Sequence, residues 1–427
     1  MILGPVSLID CLAYALFLAP QLLIQAGLFP TLLVLLRALP FLFFQLPIQF
    51  VRGRYLARTP LRTPRLRGAT VFEDIAVRCV RYGFRSIPAR VGRVFFSRQV
   101  ALPFLRWRMV RHGITACPIH WSEREFVEGS VVTKGVWLRC DPVQEPDIVI
   151  YYVHGGGFSM GSCYFYMEFF FAWLQLLQDA GYRNPAIFAL EYSLVPDEVY
   201  PTQLLQTLVG YRHVLKAAGD ASRVCVAGDS AGATLVLSLL LELGARIRTQ
   251  QMHAYKPGLH GRFAQEFPPA YAMPRMAALI SPWVTLVSNL HCPSGVDYID
   301  RGALWRYGCE YAADTLSHRE LSSPGMCRSA ELWKLASPQR GLFITYGSEE
   351  VLSPDIEDLV HRLDQAKVEV EARRFDGGIH AWPIASVFLA STSPKRLYGL
   401  RTIVGEIRKR IDRAPARGKH KRRLLSD

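Results

Sequence analysis

Gly228-Asp229-Ser230-Ala231-Gly232 is a G-x-S-x-G pattern, preceded by the apolar run Val224 to Ala227 and followed by a helical run, Ala231 to Leu243. A serine in a sharp strand-to-helix turn presents its hydroxyl at the edge of a sheet, and small flanking residues let the backbone make that turn without clashes. The helix N-terminus beneath it favours developing negative charge. Upstream, His154-Gly155-Gly156-Gly157-Phe158 follows a second apolar run. Three successive glycines cost backbone entropy on folding, so they need a reason. The reason expected here is an oxyanion hole, with the amides of Gly155, Gly156 and Gly157 turned toward a cavity and joined by that of Ala231. A phosphate-cradling loop is disfavoured, because no G-x-G-x-x-G or G-K-[ST] pattern follows. His154 reads as a structural histidine. In Asp376-Gly377-Gly378-Ile379-His380 the glycines give a loop the freedom to swing an imidazole over the serine, so His380 is the expected base.

The elements that must position these residues are legible as alternating periods. Short β-branched or aromatic runs at 148–153, 186–190, 224–227, 277–280, 342–346 and 368–375 predict buried parallel strands, and 166–180, 202–218, 231–243 and 354–366 predict helices between them. That alternation predicts an α/β fold with a mostly parallel, doubly wound sheet and ligands at the carboxyl ends of its strands. Residues 284–339 fall between two strands and are long enough to form a helical cap. The expected organisation is an apolar anchor (1–51), a basic linker (52–72), a catalytic domain (73–405) and a basic tail (406–427).

These motifs resemble the hormone-sensitive-lipase-like branch of the α/β-hydrolases, which pairs an HGGG motif with GDSAG. Tyr192 to Pro201 is similar to that family's Y-x-L-x-P-E-x-x-F-P segment, with Asp197 at the glutamate position. Ile280-Ser281-Pro282-Trp283 and Gly378-Ile379-His380-Ala381-Trp382 resemble its later landmarks. The likeness spans about residues 120–400, and within the branch it is closest in look to fungal steryl acetyl hydrolases and arylacetamide deacetylases. In this fold the triad runs in chain order Ser, acid, His. Three acids follow the fifth parallel run: Glu349, Glu350 and Asp355. Glu350-Val351-Leu352 matches the family's D-x-L, with glutamate for aspartate. Asp355 also has a structural reading, behind a Ser353 N-cap and Pro354 at the first helical position. The resemblance implies a triad of Ser230, Glu350 and His380, with no metal and no organic cofactor.

Composition sets the context. Of 427 residues half are hydrophobic and a fifth charged, which excludes a disordered chain. The net charge of +14 is concentrated near the ends: +6 from Arg52 to Arg67, +7 from Glu73 to Arg111 and +7 from Arg408 to Asp427, leaving −6 elsewhere. This distribution suits an anionic membrane surface and a solvated tail better than a nucleic-acid-binding face. The nine cysteines include no CxxC pair and read as scattered thiols, and neither Asn184 nor Asn289 forms a glycosylation acceptor. Cys11 to Leu36 carries no charged residue and is long enough to cross a bilayer. Ala38 to Val51, with Pro40 and Pro47, reads as the end of a kinked anchor, a re-entrant piece or an interfacial helix. The following arginines favour a cytosolic side, whereas many enzymes that the chain resembles keep the catalytic domain in the lumen.

The resulting expectation is a serine carboxylesterase of the membrane, in the endoplasmic reticulum, acting on short-acyl esters of lipophilic alcohols such as a sterol acetate. The aromatics Trp305, Tyr307, Tyr311 and Trp333 of the expected cap either contact such a substrate or pack the core. The alternatives are a non-catalytic small-molecule-binding homologue, or an amidase or lactonase using the same machinery.

Overall fold

An apolar run with no alternation can bury both faces only if helices cover both sides of the sheet, and this is the arrangement found. The computed structural model describes residues 2–56, 63–254, 272–313 and 319–411. Its strands are β1 (His120–Glu128), β2 (Val131–Arg139), β3 (Ile148–Val153), β4 (Pro185–Glu191), β5 (Val224–Asp229), β6 (Met276–Ile280), β7 (Leu342–Gly347) and β8 (Val370–Phe375). They form one sheet in the order β1-β2-β4-β3-β5-β6-β7-β8. The pairs β1·β2 and β2·β4 are antiparallel, and every other pair is parallel.

All six expected parallel strands are present. Along β3, Val149, Tyr151 and Val153 enter the core on one side, and Ile148, Ile150 and Tyr152 enter the core on the other. Each such fully buried side chain contributes about 1.5–3 kcal/mol. One layer contains the helices Thr202–Ala218, Ser230–Ala254 and Ser353–Gln365, and the other contains Met167–Asp179, Trp382–Leu389 and Ser393–Arg410. The last helix runs past the expected start of the basic tail, because Glu406 is buried against Arg373, Lys409 and Arg410. Residues 412–427 and Arg58 and Arg62 of the basic linker lie outside the described residues.

The N-terminal apolar region differs from expectation in where it breaks. It forms two long helices, Leu8–Ala26 and Leu28–Leu56, separated at Gly27, whose φ of 89° ends the first, and Arg37 is no boundary. Pro40 and Pro47 sit within the second helix, with a wider π-type turn at Phe41–Gln45. Both helices are long and apolar enough to cross a membrane. So is Ser230–Gln251, but that helix is buried in the core behind Ser230.

A buried ion network ties the N-terminus to the sheet's helices. The guanidinium of Arg108 donates to Glu168 (2.8 and 3.1 Å), to Asp10 (3.1 Å) and to the carbonyls of Gly4 and Pro5. Arg396 donates to Glu168 (3.1 Å) and to the Leu3 carbonyl. Arg108 and Arg396 are both almost fully buried, and every donor group of Arg108 has an acceptor, as a buried charge requires.

Candidate active site

Ser230 directly follows β5 and opens a helix with φ = 51°, a left-handed conformation rare for a residue with a side chain. The close approach of neighbouring strands makes Gly232 obligatory: a Cβ there would lie 2.1 Å from the Val153 carbonyl oxygen. Asp229 fastens the turn to the glycine loop, its buried carboxylate accepting from Tyr152 Oη (2.7 Å), Tyr166 Oη (2.9 Å) and the Gly155 amide (2.9 Å). That last bond changes the expected role of Gly155, whose N–H is committed to Asp229 and cannot also face an oxyanion.

Gly156 and Gly157 differ from it. Both have positive φ (113° and 61°), and a Cβ on Gly156 would stand 2.1 Å from the Met160 carbonyl oxygen. Among the described residues neither amide has an acceptor. Ala231 lies in the first helical turn, where amides have no intrahelical partner. His154 is structural in its contacts: its ring stacks on Tyr192 at 4.3 Å, Nδ1 lies 2.8 Å from the Gly155 carbonyl, and burial pushes its pKa down to about 4.

The loops after β7 and β8 touch, since a Cβ on Gly347 would lie 2.2 Å from the Gly378 carbonyl oxygen. They bring Glu350 Oε2 to 3.5 Å from His380 Nδ1, with both side chains buried. The other two acids are engaged elsewhere. Glu349 Oε1 accepts from the Arg65 amide (3.0 Å). Asp355 accepts from the Thr285 amide (2.9 Å) and the Ser288 hydroxyl (3.0 Å), beside His291 at 3.8 Å. Ser353 begins that helix as its first residue, and Leu352 occupies the N-cap position.

Burial pushes the Glu350 carboxyl up to about 8, opposed by the Ser281 hydroxyl and the Gly347 amide. Burial also pushes His380 down, while the charges of Asp297 and Asp229 pull it up. An imidazolium formed on His380 would oppose the rise at Glu350, because an opposite charge at this range favours the carboxylate.

Asp297 was not anticipated. It is fully buried, and its Oδ1 accepts from the amides of His380 (3.0 Å) and Tyr298 (2.8 Å), and its Oδ2 from the Val351 amide (3.0 Å). It therefore joins the acid loop to the base loop. Burial pushes its pKa up to about 6. The Ser281 hydroxyl accepts from the Ala381 amide (2.9 Å), and the Trp283 amide donates to the Ser230 carbonyl (3.2 Å), so the turn after β6 is bonded to both sides of the site.

Of the four aromatics in the expected cap, Tyr307 lies against Gly157 of the glycine loop and donates to the Phe84 carbonyl (2.9 Å). Tyr311 stacks on Phe158 (3.7 Å), Trp333 donates to the Cys327 carbonyl and Trp305 to His291. Those three pack the core or the loops around it. Among the described residues no group of three or more His, Cys, Asp or Glu side chains is placed to hold a metal ion.

A family profile for the alpha/beta hydrolase fold matches residues 150–384, more than half of the chain and all of the site. The chain belongs to the α/β-hydrolase family. This α/β-hydrolase is 28% identical over 265 residues to the acetyl-hydrolase of Streptomyces hygroscopicus, covering 60% of this chain and 75% of that relative. It is 24% identical to steryl acetyl hydrolase 1 of Saccharomyces cerevisiae, covering 53% of this chain and 50% of the yeast protein. A solved esterase of the bacterial hormone-sensitive lipase family superposes with a TM-score of 0.56 at 18% identity, covering 81% of this chain and all of that one. The resemblance read from the motifs therefore holds.

Proposed function

We propose that the chain is a membrane-associated serine carboxylesterase that removes short acyl groups from lipophilic alcohols, with a sterol acetate as the type of substrate. The observation that carries this reading is the conjunction of a strained Ser230 just after β5 with a buried Glu350–His380 pair and two glycine amides that have no acceptor among the described residues. Ser230 Oγ attacks the ester carbonyl as His380 takes its proton, and the carbonyl π electrons move to oxygen, where the amides of Gly156, Gly157 and Ala231 bind the oxyanion. Glu350 holds the tautomer of His380 and stabilises its charged form. Collapse expels the alcohol, which takes the proton from His380. Water, deprotonated by the same imidazole, then releases the acid and restores Ser230.

Short acyl groups and sterol alcohols are supported by what the relatives are called, and the lipophilic preference also by the apolar N-terminal helices. A location in the endoplasmic reticulum membrane fits the same features. The test is labelling of the membrane fraction with a fluorophosphonate probe, wild type beside Ser230→Ala, followed by turnover of sterol acetate against a small soluble acetate. Labelling that depends on Ser230 and a preference for the sterol ester are expected. A folded wild type that takes no probe would point to a binding protein on a hydrolase fold, and a strong preference for the soluble ester would remove the lipophilic substrate.

A further inference from the structure

The two N-terminal helices are long enough to cross a bilayer, yet the first is docked through one face, and the second from Arg37 onward, onto the catalytic unit. In Leu8–Ala26 the covered positions recur at helical spacing: Asp10, Ala13, Tyr14, Phe17, Leu18 and Leu22. Tyr14 packs edge-on against Phe104 (5.1 Å) and donates to the Phe95 carbonyl, and Leu18 clusters with Val94 and Val100. In Leu28–Leu56, Thr31 bonds back to the Leu22 carbonyl of the first helix. Contacts with the catalytic unit start at Arg37 and Phe41, both held by Tyr82, and reach Arg54, which donates to the Ala69 carbonyl. From Arg37 to Arg54 is about 26 Å of helix, most of the hydrocarbon thickness of a bilayer.

The partners of these contacts decide what the helices can do. Val71–Ser86, Ala89–Phe96 and Arg98–Arg111 carry nine arginines between them. If either apolar helix crossed the membrane while keeping its contacts, those arginines would be drawn to hydrocarbon depth, where a guanidinium is costly and needs a partner. The opposite faces are different: Leu12, Leu16, Ile24, Phe29, Leu36 and Phe43 are all exposed. At the turn between the helices, Gln25 shares a groove of about 480 Å³ with Arg90 and Arg93.

We infer that the two helices lie in the plane of one leaflet and do not cross it. Their exposed apolar faces are sunk among the acyl chains, and Arg37, Arg52 and Arg90 are at the level of anionic phospholipid headgroups. The three arginine-bearing helices then lie between the leaflet and the site. Phe96, Phe84 and Tyr298 form a line of rings with centroid spacings of 6.5 and 5.8 Å that ends 5.6 Å from His380. Phe96 is next to Phe95, the residue that Tyr14 contacts, so this line leads from the leaflet side to the reactive pair. The inference rests on the membrane association proposed above and not on the esterase activity, and its readout uses no turnover.

The experiment takes the full chain in sealed vesicles with the exposed Cys11, Cys292 and Cys309 changed to serine, and introduces Gln25→Cys at the turn or, as a reference on the catalytic unit, Val143→Cys, where Val143 is 92% exposed. A membrane-impermeant maleimide is expected to label position 25 from the same side as position 143. Labelling of position 25 only by a lipid-soluble maleimide places the turn within that leaflet and also supports the inference. Labelling of position 25 from the side opposite position 143 means that the helices cross, and overturns it. In a second measurement, binding to phosphatidylcholine vesicles is expected to strengthen when phosphatidylserine is added, and Arg37→Gln and Arg90→Gln each to weaken that gain about fivefold. No dependence on phosphatidylserine would remove the headgroup role of these arginines.

Discussion

Two sets of buried carboxylates in this protein have been treated in opposite ways. At the N-terminal junction Asp10 and Glu168 are surrounded by Arg108, Arg111 and Arg396, with the donor groups of Arg108 all engaged. At the site Glu350 is equally buried but, among the described residues, has no Lys or Arg beside it and no complete hydrogen bond on either oxygen, and His380 Nδ1 is likewise without one. Glu406 shows that residue type is not the cause. Burial pushes it up, but hydrogen bonds from Lys409 and Arg410 and the charges of those residues outweigh that and hold it below the ordinary glutamate range. Glu350 is pushed up to about 8. A saturated ionic network holds its charge state and fixes geometry, whereas an unsaturated pair stays free to exchange a proton when chemistry demands it.

The largest way to break this contrast is at the nucleophile. Ser230→Ala is expected to fold as before and lose esterase turnover by about 10⁴-fold or more, read by hydrolysis and by loss of probe labelling. Glu350→Gln is expected to lower kcat by about 10³–10⁴-fold, since it fixes the wrong tautomer of His380. It also tests the buried acid through stability. Between about pH 4.3, the ordinary glutamate value, and pH 8 the folded state binds more protons at Glu350 than the unfolded state does, so stability falls as pH rises through that window. The variant should flatten that slope in thermal melts taken across it. An unchanged slope would mean that Glu350 is not the strained carboxyl described here.

At the saturated end, Arg108→Met leaves Asp10 and Glu168 buried with fewer partners, and a loss of about 3–5 kcal/mol is expected in chemical unfolding, with unchanged probe labelling per folded molecule. Asp297→Asn is the smallest and sharpest test. It should cost about 1–3 kcal/mol of stability and lower kcat about tenfold. Because the Asp297 charge pulls the His380 pKa up, its removal should move the acid limb of the kcat/KM profile to lower pH. A variant that lost stability with no change in that limb would make Asp297 purely a staple of the loops.

What the sequence disclosed follows the range of the interactions involved. The central strands were legible because buried parallel strands read as unbroken apolar runs. β1 and β2 were not, because β1 is an edge strand with mostly exposed or half-buried residues, among them Glu123, Arg124 and Glu125. The serine turn and glycine loop were legible as local backbone requirements. What was not legible is the partner of Gly155, since its bond to Asp229 joins positions 74 residues apart. The choice among three acids could not be made locally, because each is defined by a distant partner: Arg65, His380 or Thr285. Asp297 gave no signal at all. Its contacts lie 54 and 83 residues away in a segment with no motif.

The bond from Arg396 to the Leu3 carbonyl joins two ends of the chain that are made far apart in time. They are 393 residues apart, which at roughly 5–20 residues per second of synthesis is on the order of 20–80 s. Throughout that interval the two apolar helices exist without the last element that secures the N-terminus, and with their exposed leucines and phenylalanines already made. On the proposal that these helices lie in a leaflet, the bilayer is their first folding partner, and the catalytic unit assembles upon a segment already seated there.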